Sequence, residues 1–190
     1  MIFVNKIVMI FVDKIEGFMF DASKAFERTQ TDSLEDALKY FASLLLINSV
    51  LFSIVFAIIL STSYSVLRPF GGLADAEKLS VPAIGGIIFI MNIIGGIGGI
   101  LIWGTIVHIF IYIFGGRKGL IQTIKAMIYG STPLLVLGWI PLINCIAAIW
   151  SLKLEIIGIQ QLQEVPAKKA ILAVFLWILF LFGRQVVPIL

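Results

Sequence analysis

The stretch AIGGIIFIMNIIGGIGGILIWGTIVHIFIYIF, Ala83–Phe114, contains no aspartate, glutamate, lysine or arginine. As a single helix it would be about 48 Å long, more than the ~30 Å hydrocarbon core of a bilayer. It is a membrane segment that must tilt, project or break. Four further apolar runs flank it, at about Leu38–Val66, Leu120–Trp139, Leu142–Leu162 and Ala170–Val187, with basic residues gathered at their junctions. Hydrophobic residues make up 60% and charged residues 13% of 190 positions, a balance that one water-soluble core of this size could not conceal. The expected fold class is therefore all-α: an integral membrane, five-helix transmembrane bundle.

The residues ahead of the first run read differently. Ile7, Phe11, Ile15, Phe18, Ala22 and Phe26 recur at helical spacing, while Asp13, Glu16, Asp21, Lys24, Glu27 and Arg28 fill the other arc. That pattern describes one amphipathic helix lying on a membrane surface. Met1–Val12 has the composition of a short signal sequence, but no small-residue cleavage site follows it, so it is expected to be retained. Asp32 with Glu35 has the spacing of a capping box for the first crossing. The chain thus divides into an amphipathic cytoplasmic or interfacial segment, 1–37, and a five-pass transmembrane domain, 38–190.

Within the crossings, Pro133 predicts a kink and Trp139-Ile140-Pro141 a tight turn. Gly95 and Gly99 have a spacing that lets another helix approach closely, and the cluster Gly95, Gly96, Gly98, Gly99 is also where the long run could break; close packing is favoured. Lys6, Lys14, Lys24, Arg28, Lys39, Arg117, Lys118, Lys168 and Lys169 fall on one side of the membrane. The other side receives Arg68 and Lys78, offset by Asp75 and Glu77, and Arg184. Retention of basic loops in the cytoplasm places the amino terminus inside and the carboxyl terminus outside a cell membrane.

Ionisable groups inside the crossings form the candidate site, because they are costly there and face a bundle interior, a cavity or a partner. His108, Lys125 and Glu155 count to roughly 8–11 Å from the cytoplasmic ends and Lys153 to ~14 Å. Tyr129 stands one turn from Lys125. The expected layer pairs Glu155 with Lys125 or His108 and leaves Lys153 to a carbonyl, water or a neighbouring protomer. It serves as internal structure, with Lys125 snorkelling and His108 bonded to a carbonyl, or as a ligand or ion site; structure is favoured over transport.

Other chemistries lack their residues. One histidine and one cysteine supply too thin a ligand set for a metal, so neither metal nor cofactor is expected. Cys145, the single cysteine, excludes a disulfide within the chain and reads as a packed thiol. No G-x-S-x-G turn supports a hydrolase; Ser131 or Ser151 with His108 is merely a permitted pairing. Gly115-Gly116-Arg117-Lys118-Gly119 is a helix-ending turn without phosphate-loop spacing. A net charge of +3, spread over the ends of crossings, excludes a nucleic-acid partner. No enzyme activity is expected.

Two blocks carry a family resemblance. The first is Gly17-Phe18-Met19-Phe20-Asp21-Ala22-Ser23-Lys24-Ala25-Phe26 followed by Ser33-Leu34-Glu35-Asp36-Ala37-Leu38-Lys39-Tyr40-Phe41. The second runs through Trp103, His108, Gly115-Gly116, Lys125, Tyr129, Pro133, Trp139, Pro141, Trp150, Gly158 and Lys169-Ala170. Together they are similar to the Ypt-interacting-protein family, the five-pass Yip-one domain proteins, in their archaeal and bacterial form. The resemblance implies a non-enzymatic membrane protein that organises membrane or recruits partners, with the lipid bilayer and a second copy or another membrane protein as partners. A small GTPase partner is implied by analogy with eukaryotic members alone, whose long polar amino-terminal region has no counterpart here. The alternative function is a small transporter or channel using the intramembrane polar site. No convincing inverted repeat supports it.

Overall fold

A computed structural model describes the backbone of residues 2–67 and 80–186 and the side chains of residues 9–62 and 80–176. Every regular element among the described residues is an α-helix: α1 (Ile2–Phe20), α2 (Ala22–Thr29), α3 (Leu34–Leu67), α4 (Val81–Ile113), α5 (Leu120–Gly130), α6 (Thr132–Leu137), α7 (Ile143–Leu162) and α8 (Ala167–Val186). Among the described residues four segments are long and apolar enough to cross a bilayer: Leu34–Thr62, Val81–Ile113, Leu120–Leu137 and Ile143–Leu162. The expected fifth is helical as α8, and the side chains of its second half, Arg184 included, lie outside the described residues. So does the loop with Arg68, Asp75, Glu77 and Lys78.

The amphipathic segment is two helices, where one was expected. Asp21 leaves helical geometry at φ −141° and caps α2, its carboxylate accepting from the Lys24 amide at 3.5 Å. Lys24 Nζ also pairs with it at 2.8 Å. The hydrogen bond to Lys24 holds the Asp21 carboxyl below the usual aspartate range, so this support for α2 is present above that range and fades as pH falls through it. The capping box of α3 is one residue later than the sequence suggested. Ser33 Oγ accepts from the Asp36 amide at 3.1 Å, and Asp36 Oδ2 accepts from the Ser33 amide at 3.2 Å. Asp32 is unavailable as a cap because Lys14 and Tyr129 hold its carboxylate.

Helix α4 is unbroken through its glycines. Antiparallel α3 lies against it there and keeps the run helical. Leu45 fills the notch at Gly96, Ser49 Oγ donates to Asn92 Oδ1 at 2.7 Å, and Ala57 faces Gly85. At 33 residues, α4 measures about 50 Å and accommodates a bilayer by tilt and projection. The third crossing does break: α5 stops at Gly130, Ser131 turns the chain, and Pro133 opens α6. Ser151 of α7 accepts the Leu134 amide at 3.0 Å and repairs the break.

The turn from α6 to α7 keeps its polar groups inside the chain, as hydrocarbon surroundings require. Trp139 Nε1 donates to the Val136 carbonyl at 3.0 Å and Asn144 Nδ2 to the Gly138 carbonyl at 2.6 Å. Leu142 adopts φ 69° to close it. Cys145 follows on an exposed face of α7; the expectation of a packed thiol is corrected, since the turn points this side of the helix away from α5 and α6.

Helices α5 and α7 meet where side chains are missing. A Cβ on Gly130 would lie 2.7 Å from the Glu155 backbone nitrogen, and one on Gly158 would lie 2.5 Å from the Phe26 ring. The core around them is Phe18, Phe26, Val107, Ile111, Met127 and Tyr129, all fully buried. Gly130→Ala forces α5 from α7 and should cost about 1–3 kcal/mol, read as a lower unfolding midpoint of the detergent-solubilised protein. Gly86→Ala, where a Cβ meets nothing within 4 Å, should leave the midpoint unchanged.

Candidate functional site

Lys125 and Tyr129 are one helical turn apart on α5 and share a face, but that face looks toward the amino-terminal segment. Gly130, which abuts Glu155, is five residues and about 140° further round the helix from Lys125. Hence Lys125 reaches the turn between α2 and α3. Its Nζ donates to the carbonyls of Gln30 at 3.0 Å and Asp32 at 2.7 Å. Tyr129 donates its hydroxyl to Asp32 Oδ2, and Lys14 Nζ pairs with the same oxygen at 2.7 Å.

Aromatic rings surround this clasp. Phe18 stacks on Tyr129 with centroids 4.8 Å apart, Phe26 stands edge-on to Phe18 at 4.9 Å, and Lys14 Nζ sits 5.2 Å above the Tyr129 ring. Thr132 gives its hydroxyl proton to the Tyr129 carbonyl at 2.7 Å, so Tyr40 is the donor to Thr132 Oγ1 at 3.0 Å. Ammonium-to-carbonyl bonds contribute about 1.5–3 kcal/mol each and ring pairs about 1 kcal/mol beyond their burial. The combined effect is to hold α1 and α2 against α5 and α7.

His108 belongs to a second, separate arrangement. Gln163 Nε2 at the end of α7 donates to the Gly119 carbonyl at 2.7 Å and to Thr123 Oγ1 at 2.9 Å, while its Oε1 accepts the Lys118 amide at 3.2 Å. Thr123 Oγ1 lies 2.9 Å from His108 Nδ1. These bonds lock the α4–α5 loop onto α7. Lys153 is exposed on α7 and pairs with none of the other described residues.

The expected pairing of Glu155 with Lys125 or His108 is therefore corrected. Glu155 is 8% exposed, and its Oε2 has no hydrogen-bond partner. It lines a cavity of about 350 Å³ whose walls include Gly95, Gly96, Gly99, Ser131 and Ser151. Gly95 and Gly99 are exposed, and a Cβ on either meets nothing within 4 Å. Among the described residues, the glycines of α4 that lie against another helix are Gly85, against Ala57, Gly96, against Leu45, and Gly104, against Ile124. The single layer read from the sequence resolves into a clasp, a loop bracket and a cavity. Lys14, Asp32 and Tyr40 were missed: Lys14 was read as one of the basic residues that set the orientation and Asp32 as a cap.

Among the described residues no group of three or more His, Cys, Asp or Glu could hold a metal ion. In comparison with known proteins, a family model described as the Yip1 domain matches residues 17–184, from the last turn of α1 to the last turn of α8. No curated protein matches the chain, and no solved structure does.

Lys125→Met strips both carbonyls of their donor and should weaken docking of the amino-terminal segment by about 1–3 kcal/mol, seen as faster amide exchange across α1 and α2. Lys153→Met should leave that exchange at its original rate. Equal protection in the two variants would contradict the clasp.

Proposed function

This chain belongs to the Yip1 domain family, and on that premise we propose that it is a non-enzymatic membrane protein that organises lipid or recruits other membrane proteins. It is a multi-pass membrane protein, and its apolar helices contact the bilayer. The observation that carries the proposal is the outer side of α1. While Phe18 and Lys14 anchor the helix to the bundle, Met9, Ile10, Val12 and Phe20 remain exposed, Phe20 by 80%. Apolar side chains held in place and interleaved with exposed Asp13 and Glu16 fit the boundary between headgroups and hydrocarbon, or a partner lodged there.

The proposed setting is the cell membrane, with the amino-terminal segment and the Arg117-Lys118 and Lys168-Lys169 loops in the cytoplasm and the carboxyl terminus outside. Residues 1–37 act as the interfacial unit and 38–190 as the spanning one. A second copy, or another membrane protein, covers part of the exposed row Ile87, Ile90, Ile94 and Ile97 of α4; a small GTPase enters by analogy alone.

Three measurements test this. A fluorophore attached at Met9→Cys in a Cys145→Ser background should be quenched by brominated lipids in reconstituted vesicles, and a fluorophore at Glu27→Cys should not. The same vesicles should pass ions and small solutes no faster than protein-free ones, and cross-linking should yield discrete oligomers. Flux that disappears on Glu155→Gln would replace this proposal with transport.

A further inference from the structure

We infer that the cavity between α4 and the α6–α7 pair binds an amphiphile carrying a primary ammonium group, with Glu155 as the counter-charge. This goes beyond the membrane-organising proposal and does not depend on it. At about 350 Å³ the cavity falls in the ~300–1,000 Å³ range of small-molecule sites. Its polar end is the Glu155 carboxyl with the hydroxyls of Ser131 and Ser151. Glu155 Oε2 is buried and unpartnered. Ser131 has spent its proton on the Ile128 carbonyl at 2.8 Å, and Ser151 Oγ accepts the Leu134 amide, its own proton making no hydrogen bond to Glu155 Oε2.

The available cations are elsewhere: Lys125 is on the Gln30 and Asp32 carbonyls, His108 faces Thr123, and Lys153 is exposed on another side of α7. A carboxyl enclosed without a donor is costly. An ammonium brings three donors and the opposite charge. The remaining walls, among them Phe41, Ile100, Leu134 and Leu152, suit a hydrocarbon tail.

The entrance also has a cause in the sequence. Gly95 and Gly99 stand on the exposed side of α4 with open space where a Cβ would be, so the cavity opens toward the surface that meets lipid. A ligand arriving from the membrane keeps its tail in hydrocarbon and turns its head in to Glu155. An aminophospholipid headgroup and a free long-chain amine share this chemistry.

The test uses the full chain with Trp139, Trp150 and Trp177 replaced by phenylalanine, in phosphatidylcholine nanodiscs. Trp103 in the cavity wall then reports on bromoundecylamine as the probe. Saturable quenching is expected, with apparent affinity at least about tenfold weaker for bromoundecanol, for Glu155→Gln and for Gly99→Leu. Phosphatidylethanolamine added to the nanodiscs distinguishes the sources: competition identifies a lipid headgroup and no competition a free amine, and both support the site. Equal quenching by the alcohol, or quenching unchanged in both variants, overturns it. So does a Gly99→Leu variant that loses an oligomer and not the ligand, because a second copy then covers the entrance. The alcohol comparison needs no substitution at Glu155, so the inference is tested even if Glu155→Gln fails to fold.

Discussion

An ammonium inside a helical bundle must find acceptors, and the way Lys125 finds them organises this molecule. It takes two backbone carbonyls from the turn that links α2 to α3. That turn becomes a fixed point. Asp32, held at its end, collects Lys14 from α1 and Tyr129 from α5, and the rings of Phe18, Phe26 and Tyr40 close over the group. An amphipathic segment that could have floated on lipid is thereby joined to the spanning helices.

Glycine decides how closely those helices approach. Gly96 admits Leu45, Gly104 admits Ile124, Gly130 admits the backbone of α7, and Gly158 admits the Phe26 ring. In lipid no hydrophobic force draws helices together, so contact depends on shape and on hydrogen bonds. Gly95 and Gly99 follow the same chemistry to the opposite effect, because among the described residues no helix occupies the space they leave. The cavity behind them keeps one buried carboxyl whose natural complement is a donor from outside the chain.

The sites differ in what they do for the protein. Clasp and loop bracket are networks whose polar groups find partners within the chain, and their value is to hold elements in register. The Glu155 cavity is unsatisfied and partly open, which is the condition under which a polar group in a membrane protein serves binding.

Composition and run length were enough to establish a helical membrane protein, the approximate bounds of its helices, the kink before Pro133 and the turn at Trp139. All of these follow from hydropathy and from local backbone chemistry that acts within a few residues. The sequence also marked His108, Lys125, Tyr129, Lys153 and Glu155 as groups needing explanation, since charge is rare in such runs. It could not assign their partners. Depth along a helix is countable from the chain, but the direction in which a side chain faces around the bundle depends on which helices become neighbours. Only the tertiary structure decided that Lys125 turns to Asp32, that His108 turns to Thr123, and that Glu155 is left alone, because helix packing at glycines separated by many residues fixes those rotations.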